Sequence, residues 1–451
     1  MKKNPGAGKT IFALSSGGVP AGVAIIRLSG PRAEDLVRLY AGKVPAPRRA
    51  SLRTLRLPES GEVVDEGLVL WFPAPDSFTG EDSAEFHCHG SRSVVSALLD
   101  SLAKQPECRL AEPGEFARRA FDNGKLDLTS LEGLADLINA QTEAQRRQAL
   151  DQARGGLFSV AENWREALIA LRALVEARID FSDEGDVADA GPGEIGRRIE
   201  DLRDDIGAAL ASADRGERVR TGFKVALAGR PNSGKSTLLN ALARRDVAIV
   251  TDEPGTTRDI LEVPLDLGGY RVLVYDTAGL RAVSGKAERE GVRRALERAG
   301  SSDLVLWLSA PEDRHPPPDS MNDSAPIWLV GTKADLGYRD DAPRLPDVNQ
   351  FAARFAISAK TGEGLAGLEC ALRDVASEAM TGDAAIMISR LRHKELLQAA
   401  VADLDAALAA REEEVIAELL RRASDALGRL TGRIDVEDVL DRLFGEFCIG
   451  K

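Results

Sequence analysis

A glycine loop near the middle of the chain constrains the fold most. Gly229-Arg230-Pro231-Asn232-Ser233-Gly234-Lys235-Ser236 fits G-x-x-x-x-G-K-[ST] and lies between the apolar run Val225-Ala226-Leu227-Ala228 and Thr237-Leu238-Leu239-Asn240-Ala241-Leu242. Strand, glycine loop and helix start together hold phosphate. Backbone N–H groups and the helix N-terminus face the phosphate oxygens, Lys235 reaches the outer phosphates, and the Ser236 hydroxyl ligates magnesium. Three further motifs follow in order. Asp276-Thr277-Ala278-Gly279 comes after Val272-Leu273-Val274-Tyr275; an acid at a strand end can hold magnesium through water, and the glycine lets backbone approach the outermost phosphate. Thr332-Lys333-Ala334-Asp335 follows Ile327-Trp328-Leu329-Val330. The Asp335 carboxylate can accept two hydrogen bonds from guanine N1 and the 2-amino group, a donor pair that adenine lacks. Ser358-Ala359-Lys360 matches the short loop that backs the base. The ordered set predicts a GTP-hydrolysing unit, with Asn232, Ser233, Gly234, Lys235, Ser236 and Thr237 around the phosphates.

Two positions shape the expected chemistry. Thr332 stands where this class usually has Asn; it keeps a hydroxyl and loses the amide's paired donor and acceptor. Leu280 stands where Ras-like enzymes place a water-orienting Gln, so another group must position the attacking water. Asn232 offers an amide oxygen to a cation, and Glu288 lies downstream in the expected switch. On local sequence alone Glu288 reads first as a solvated helix acid.

A length of 451 residues suits roughly three domains. With 43% hydrophobic residues but only 5% aromatics, the core should be helix-rich and packed by Ala, Leu and Val. No run of 18 apolar residues suggests a membrane span, and the N-terminal segment lacks the apolar core of a signal peptide. Cys88, Cys108, Cys370 and Cys448 are far apart, which fits a reducing cytoplasm rather than a disulfide or zinc framework. A net charge of −13 excludes a general polyanion binder and leaves RNA contact to a local patch. The candidates are Arg118-Arg119, Arg146-Arg147 and Arg421-Arg422, which also read as solvated helix faces.

Along the chain, residues 1–120 read as an α/β unit. Strands are expected at Thr10 to Leu14, Gly22 to Leu28, Val63 to Phe72 and Ser83 to His89, with a helix from Pro31 to Tyr40. Residues 121–220 turn helical: Leu128, Leu131, Leu134, Ala135 and Ile138 share a face, and Leu157, Val160, Trp164, Leu168, Leu171, Val175 and Ile179 continue the spacing. A further helix runs to about 218. The GTPase unit takes residues 221–379, with an exposed loop expected at His315-Pro316-Pro317-Pro318. Helical spacing returns over 380–451 with Leu397, Val401, Leu404 and Leu408. The simplest packing joins the two helical stretches into one bundle with the GTPase unit inserted.

Several further segments carry a resemblance. They are Gly22-Val23-Ala24-Ile25-Ile26-Arg27-Leu28-Ser29-Gly30, Ser77-Phe78-Thr79-Gly80-Glu81-Asp82, Glu85-Phe86-His87-Cys88-His89-Gly90, Ala111-Glu112-Pro113-Gly114-Glu115-Phe116, Asn123-Gly124-Lys125-Leu126-Asp127-Leu128 and the terminal Phe447-Cys448-Ile449-Gly450-Lys451. With the inserted phosphate loop, they make the chain similar over essentially its whole length to the MnmE (TrmE) family of tRNA uridine 5-carboxymethylaminomethyl modification GTPases. The resemblance implies an α/β and α architecture: an N-terminal folate-binding, tetrahydrofolate-enzyme-like α/β domain, a central helical bundle and an inserted Ras-like P-loop GTPase domain. It implies a homodimer through the N-terminal domain, a heterotetramer with the FAD- and NADH-using flavoprotein MnmG, tRNA as substrate, and a one-carbon donor such as 5-formyl- or methylene-tetrahydrofolate. Arg27, Glu85, Lys125 and Lys451 fall at the folate-site positions. Nucleotide contacts extend to Thr251, Asp252, Glu253, Pro254, Gly255, Thr256 and Thr257, and to Asp276, Thr277, Ala278 and Gly279. They extend also to Thr332, Lys333, Ala334 and Asp335, and to Ser358, Ala359 and Lys360. Potassium would sit on Asn232, Thr251, Glu253 and Thr256, magnesium on Ser236 and Thr257, and Glu288 matches the water-activating position. The Cys448 thiol could attack uridine C6 or only fill space. Three stretches depart from the family pattern: Ser15-Ser16-Gly17-Gly18-Val19-Pro20-Ala21 near the expected folate pocket, Glu253-Pro254, and Thr332.

Two rival readings share the GTPase motifs. One is a ribosome-assembly GTPase of the Era type, which would carry a KH-like module; no G-x-x-G loop in helical context follows residue 380. The other is a nucleotide-switched scaffold whose hydrolysis only resets a partner. The terminal pentapeptide argues against both.

Overall fold

The computed structural model describes residues 8–180, 192–249, 262–276, 302–312, 316–317, 325–337, 351–382, 388–434, 437–445, 447 and 449–450. The chain divides into two compact units. One comprises Met1–Ala135, Gln152–Glu166 and Ser424–Lys451, the other Asp136–Asp151 and Ala167–Ala423.

The first unit is built on a six-stranded sheet. Its strands are β1 (Thr10–Leu14), β2 (Ala21–Ser29), β3 (Ser51–Arg56), β4 (Val63–Phe72), β5 (Ser83–Gly90) and β6 (Cys108–Leu110), in the order β3-β4-β5-β2-β1-β6. Only β1 and β6 pair in parallel. Alternation along β2 sends Ala24, Ile26 and Leu28 into a core, where Leu55, Val69 and Phe86 meet α1 (Ala33–Ala41) and α2 (Arg92–Ala103). The same alternation leaves Ile25 and Arg27 on the opposite face, and the β2–β5 register sets Arg27 directly across from Glu85. The strand β3 escapes a hydrophobic-pattern reading. It is an edge strand, Ser-Leu-Arg-Thr-Leu-Arg, with one fully buried residue, Leu55, and charge at an edge discourages further pairing. Strands expected at Gly22 to Leu28 and Ser83 to His89 extend by a residue or two at their ends.

Behind the sheet, α3 (Glu115–Asp122) carries two buried charges, Glu115 and Arg119. Arg119 donates to Glu115 Oε1 (3.1 Å) and to Glu81 Oε2 (2.8 Å), while Arg109 grips Glu115 through both terminal nitrogens at 2.7 and 2.6 Å. Burial by itself pushes the Glu115 carboxyl up, but the Arg109 hydrogen bonds, the Glu112 N–H and the charges of Arg109 and Arg119 bring it below its ordinary 4.5. The helix α4 (Leu128–Asn139) buries Leu128, Leu131 and Ala135 as its spacing predicts. The C-terminal helix Glu437–Gly445 brings Leu440, Leu443 and Phe444 onto them, and Phe447 joins the same cluster. The chain end then runs to β1: Ile449 bridges Pro113, and Ser15 Oγ donates to the Gly450 carbonyl at 2.7 Å.

The helices α5 (Glu143–Ala153) and α6 (Gly156–Asp180) each contribute residues to both units, and within the second unit α7 (Pro192–Leu210) and α8 (Ala213–Thr221) lead to a second six-stranded sheet. The expected single helix to about 218 is two, broken at Ala211–Ser212, where the buried Ser212 hydroxyl donates back to the Ala209 carbonyl at 2.6 Å. The sheet comprises β7 (Phe223–Ala228), β8 (Glu262–Leu267), β9 (Tyr270–Asp276), β10 (Leu304–Ser309), β11 (Ile327–Gly331) and β12 (Ala353–Ala356), in the order β12-β11-β10-β7-β9-β8. All pairs are parallel except β8–β9, so the C-terminal ends of β7, β9 and β11 open on one edge. The helices α9 (Lys235–Ala243) and α10 (Leu365–Met380) cover this sheet, and α11 (Leu391–Ala409) packs on α7. Of the expected exposed proline loop, Pro316 is exposed and Pro317 is buried.

Replacing Arg119 by Ala should destabilise the chain by about 1–3 kcal/mol, because Glu81 and the Ser29 and Lys9 carbonyls lose a donor while Arg109 still holds Glu115. Denaturant unfolding measures this, and a loss within error would remove the pair from its structural role. The folded pKa of Glu115 lies below the unfolded one. Its stabilisation is therefore present above pH 4.5 and lost as pH falls through the folded value.

Candidate functional site

The glycine loop leaves the end of β7 at Gly229, whose φ of +145° and close approach to the Leu308 carbonyl (2.5 Å for an added Cβ) admit no side chain. Gly234, at φ +98°, turns the chain into α9. Lys235 is buried and donates to the Gly229 and Arg230 carbonyls, both at 2.9 Å. Burial lowers its pKa while the Asp276 carboxylate opposes the fall. At the end of β9, Asp276 accepts from the Ser236 hydroxyl at 2.8 Å. The Ser233 hydroxyl is buried without a hydrogen-bond partner among the described residues. The loop thus keeps an ammonium, a hydroxyl–carboxylate pair and an orphaned hydroxyl where phosphate oxygens would satisfy them. Asn232 is exposed and adopts φ +63°.

Beside this loop is a cavity of about 240 Å³ whose lining includes Gly234, Thr237, Thr332, Asp335, Ser358 and Lys360. The Ser358 hydroxyl donates to Asp335 Oδ1 at 2.7 Å and fixes the carboxylate's rotamer. The Thr332 hydroxyl donates to the Ser233 carbonyl at 2.7 Å. The Thr332 proton thus ties its loop to the phosphate loop. Lys333, at φ +58°, pairs with Glu312, and Ala334 opens a short turn. Of the expected site residues, Thr251, Asp252, Glu253, Pro254, Gly255, Thr256, Thr257, Thr277, Ala278, Gly279, Glu288, Cys448 and Lys451 lie outside the described residues.

The first unit holds a second cavity, of about 450 Å³, and Arg27, Glu85 and Lys125 line it together. Arg27 Nε donates to Glu85 Oε1 at 3.1 Å, and Glu85 Oε2 meets His87 Nε2 at 2.9 Å. The Arg27 guanidinium lies over Phe78 and Phe116, 5.7 and 5.8 Å from the ring centres. Ser77, Phe78 and Thr79 form one wall. That wall is pinned from behind, by Ser29 Oγ to Thr79 Oγ1 (2.7 Å) and Glu81 Oε2 (2.8 Å), and by Asn123 Nδ2 donating to the Thr79 carbonyl (2.7 Å). Gly80 permits it: a Cβ there would sit 3.0 Å from Asn123 and 3.2 Å from Lys125. Sequence reading missed Arg48 and Phe72 in this lining; neither belongs to a motif. Cys88 is buried, and burial followed by the nearby Asp65 charge pushes its thiol up to about 11, which removes it as a nucleophile at neutral pH.

None of the three arginine pairs offers a free basic patch. Arg118 meets Asp441 (3.2 Å), and Arg119 is buried with Glu115 and Glu81. Arg146 and Arg147 both hold Glu143, whose carboxyl their hydrogen bonds bring down to about 2. Arg421 pairs with Glu418 (2.7 Å) and Arg422 with Asp403 (2.8 Å). Among the described residues no helix is long and apolar enough to cross a membrane.

Residues 10–125 match the family model described as GTP-binding protein TrmE N-terminus, and residues 128–448 match the MnmE helical domain. The chain is 50% identical over 445 residues to the tRNA modification GTPase MnmE of Bradyrhizobium sp. (strain ORS 278), covering 98% of this chain and 99% of that protein. It is 51% identical to the protein of that name in Azorhizobium caulinodans, again over 98% and 99%. Among solved structures, Aquifex aeolicus Era bound to GDP and AlF4− is 24% identical over 43% of this chain and 69% of its own, with a TM-score of 0.27. The G domain of the T. maritima FeoB iron transporter is 27% identical over 34% of this chain and 98% of its own, with a TM-score of 0.25.

Exchanging Asp335 for Asn should move preference from guanine toward xanthine, since an amide offers one donor and one acceptor where the carboxylate offered two acceptors. Competition of GTP and XTP for the chain measures it; an unchanged ratio would show that Asp335 does not read the base.

Proposed function

The chain belongs to the MnmE family of tRNA modification GTPases, and from that premise we propose that it is a potassium-activated GTPase acting with the flavoprotein MnmG. Together they would install a carboxymethylaminomethyl group at C5 of the wobble uridine of certain tRNAs. The observation that carries the nucleotide half is the pairing of Ser236 with Asp276 beside a buried Lys235, with the Ser358-held Asp335 next door. Lys235 would exchange its two loop carbonyls for phosphate oxygens, and the orphaned Ser233 hydroxyl would gain a partner. Asp335 would accept from the guanine edge.

The donor set fits the metals by its chemistry. Ser236 and Thr257 would hold magnesium, with Asp276 acting through water; bound there, it spreads the charge of the outer phosphates. Asn232, exposed and turned outward by its left-handed backbone, would join Thr251, Glu253 and Thr256 around potassium, whose charge would serve where other GTPases use an arginine. Glu288 would orient the attacking water that Leu280 cannot, with two GTPase units meeting across their nucleotides.

In the first unit, Arg27, Glu85, Lys125 and the terminal Lys451 would hold a 5-formyl- or methylene-tetrahydrofolate. An aromatic wall at Phe78, a carboxylate at Glu85 for ring nitrogens, and cations for an anionic tail suit such a ligand. When bound, it supplies the one-carbon unit; the chain's own residues orient it and exclude water. The packing of Ile449 on Pro113 and of Gly450 on Leu14 and Ser15 supports a role for the chain end in this unit. Homodimerisation is supported by apolar residues left open on the sheet, Leu52 at 65% and Leu68 at 41% exposure, paired across β3 and β4. The cytoplasm is the proposed compartment.

GTP hydrolysis should be faster in potassium than in sodium at equal ionic strength, and Asn232→Ala should abolish the difference while keeping nucleotide binding. Equal rates in both salts would end the potassium assignment. Glu288→Ala should bind GTP normally and hydrolyse it slowly; a collapse of affinity would make Glu288 structural instead.

Truncation after Phe447 keeps its buried ring and removes Cys448 to Lys451. It should leave GTP hydrolysis intact and stop wobble-uridine modification, read by mass spectrometry of tRNA nucleosides from a complemented deletion strain. Full modification by the truncated chain would dismiss the C-terminal site. A Cys448→Ser variant with normal modification would exclude the thiol as the nucleophile.

A further inference from the structure

The 450 Å³ cavity of the first unit carries a cation that no motif or resemblance assigns. Arg48 lies on the connection between α1 and β3, with φ at +59°, a region that side chains other than glycine rarely adopt. Two contacts hold it there. Its N–H donates to the Trp71 carbonyl at 2.8 Å, next to the pocket residue Phe72, and its guanidinium donates to the Asp76 carbonyl. The Asp76 carboxylate shares the rim, yet no ion pair joins it to Arg48. Three cations line this cavity. Arg27 is matched by Glu85 at 3.0 Å, whereas Arg48 and Lys125 have no carboxylate partner among the described residues. Unmatched cations beside an aromatic wall suit a ligand with a flat ring and an anionic tail.

We propose that Arg48 is a specificity-determining residue of this pocket, gripping a carboxylate on the ligand's tail with its planar fork. The proposal rests on the folate reading above and names the group that would discriminate ligands by tail charge. The backbone strain at Arg48 would then be retained for binding rather than for folding.

The test uses the full chain, 5-formyltetrahydrofolate, and its diamide, in which both tail carboxylates are neutral but nearly the same size. Calorimetry should give about tenfold tighter binding of the acid than of the diamide, the usual scale for a hydrogen bond to a charged group. Arg48→Gly should remove that preference, weakening the acid about tenfold and leaving the diamide unchanged. Its Tm should be equal or higher, because glycine relaxes the left-handed backbone. A preference for the acid that survives Arg48→Gly overturns the proposal and leaves the folate reading standing. Equal weakening of both ligands with a lower Tm also overturns it, by making Arg48 structural. If the unaltered chain binds neither ligand, the folate reading fails and the role of Arg48 falls with it.

Discussion

Burying the Arg119 guanidinium commits everything around it in the first unit. A charge at 7% exposure is tolerable only when carboxylates and carbonyls face it, and here Glu115, Glu81, the Ser29 carbonyl and the Lys9 carbonyl do. Glu81 in turn fixes Ser29, and Ser29 fixes Thr79. The 77–81 loop is therefore a rigid wall rather than a free connection, and the cavity that holds Arg27, Glu85 and Lys125 inherits its shape from an ion pair outside it. An apolar replacement of the whole network could preserve stability, but it would release the wall.

The second unit solves a different problem. Its loops must leave the ends of parallel strands and still present one phosphate cradle and one base pocket. The Thr332–Ser233 hydrogen bond joins the two at a contribution of about 0.5–1.5 kcal/mol. Threonine gives its only side-chain proton to the neighbouring loop, and the Ser358 hydroxyl holds the Asp335 carboxylate beside it. The full-length relatives at about half identity set aside the Era-type alternative.

The G motifs were legible because each is a run of adjacent residues whose chemistry depends on local backbone: glycines that open space, a lysine, a hydroxyl. The strands Thr10–Leu14 and Val63–Phe72 were legible by their apolar content, and α4 by its spacing. The edge strand β3 was not, because one buried leucine among arginines carries no periodic signal. Nor was the burial of Arg119, which beside Arg118 looks like a solvated pair until Glu81 arrives from a distant loop. Pro317 likewise reads as loop and is buried.

Sequence by itself determined that the chain binds and hydrolyses a guanine nucleotide, and a family resemblance singled out Arg27, Glu85 and Lys125 as an expectation. Motifs and composition are properties of neighbours along the chain. Tertiary structure alone decided that those three residues share a cavity, that Arg48 joins them and that the Thr332 hydroxyl bonds the Ser233 carbonyl. It also decided that the basic pairs are neutralised. Charge balance and cavity shape depend on which residues meet across strands and loops. Strand register and burial set those meetings, and neither is written in adjacent residues.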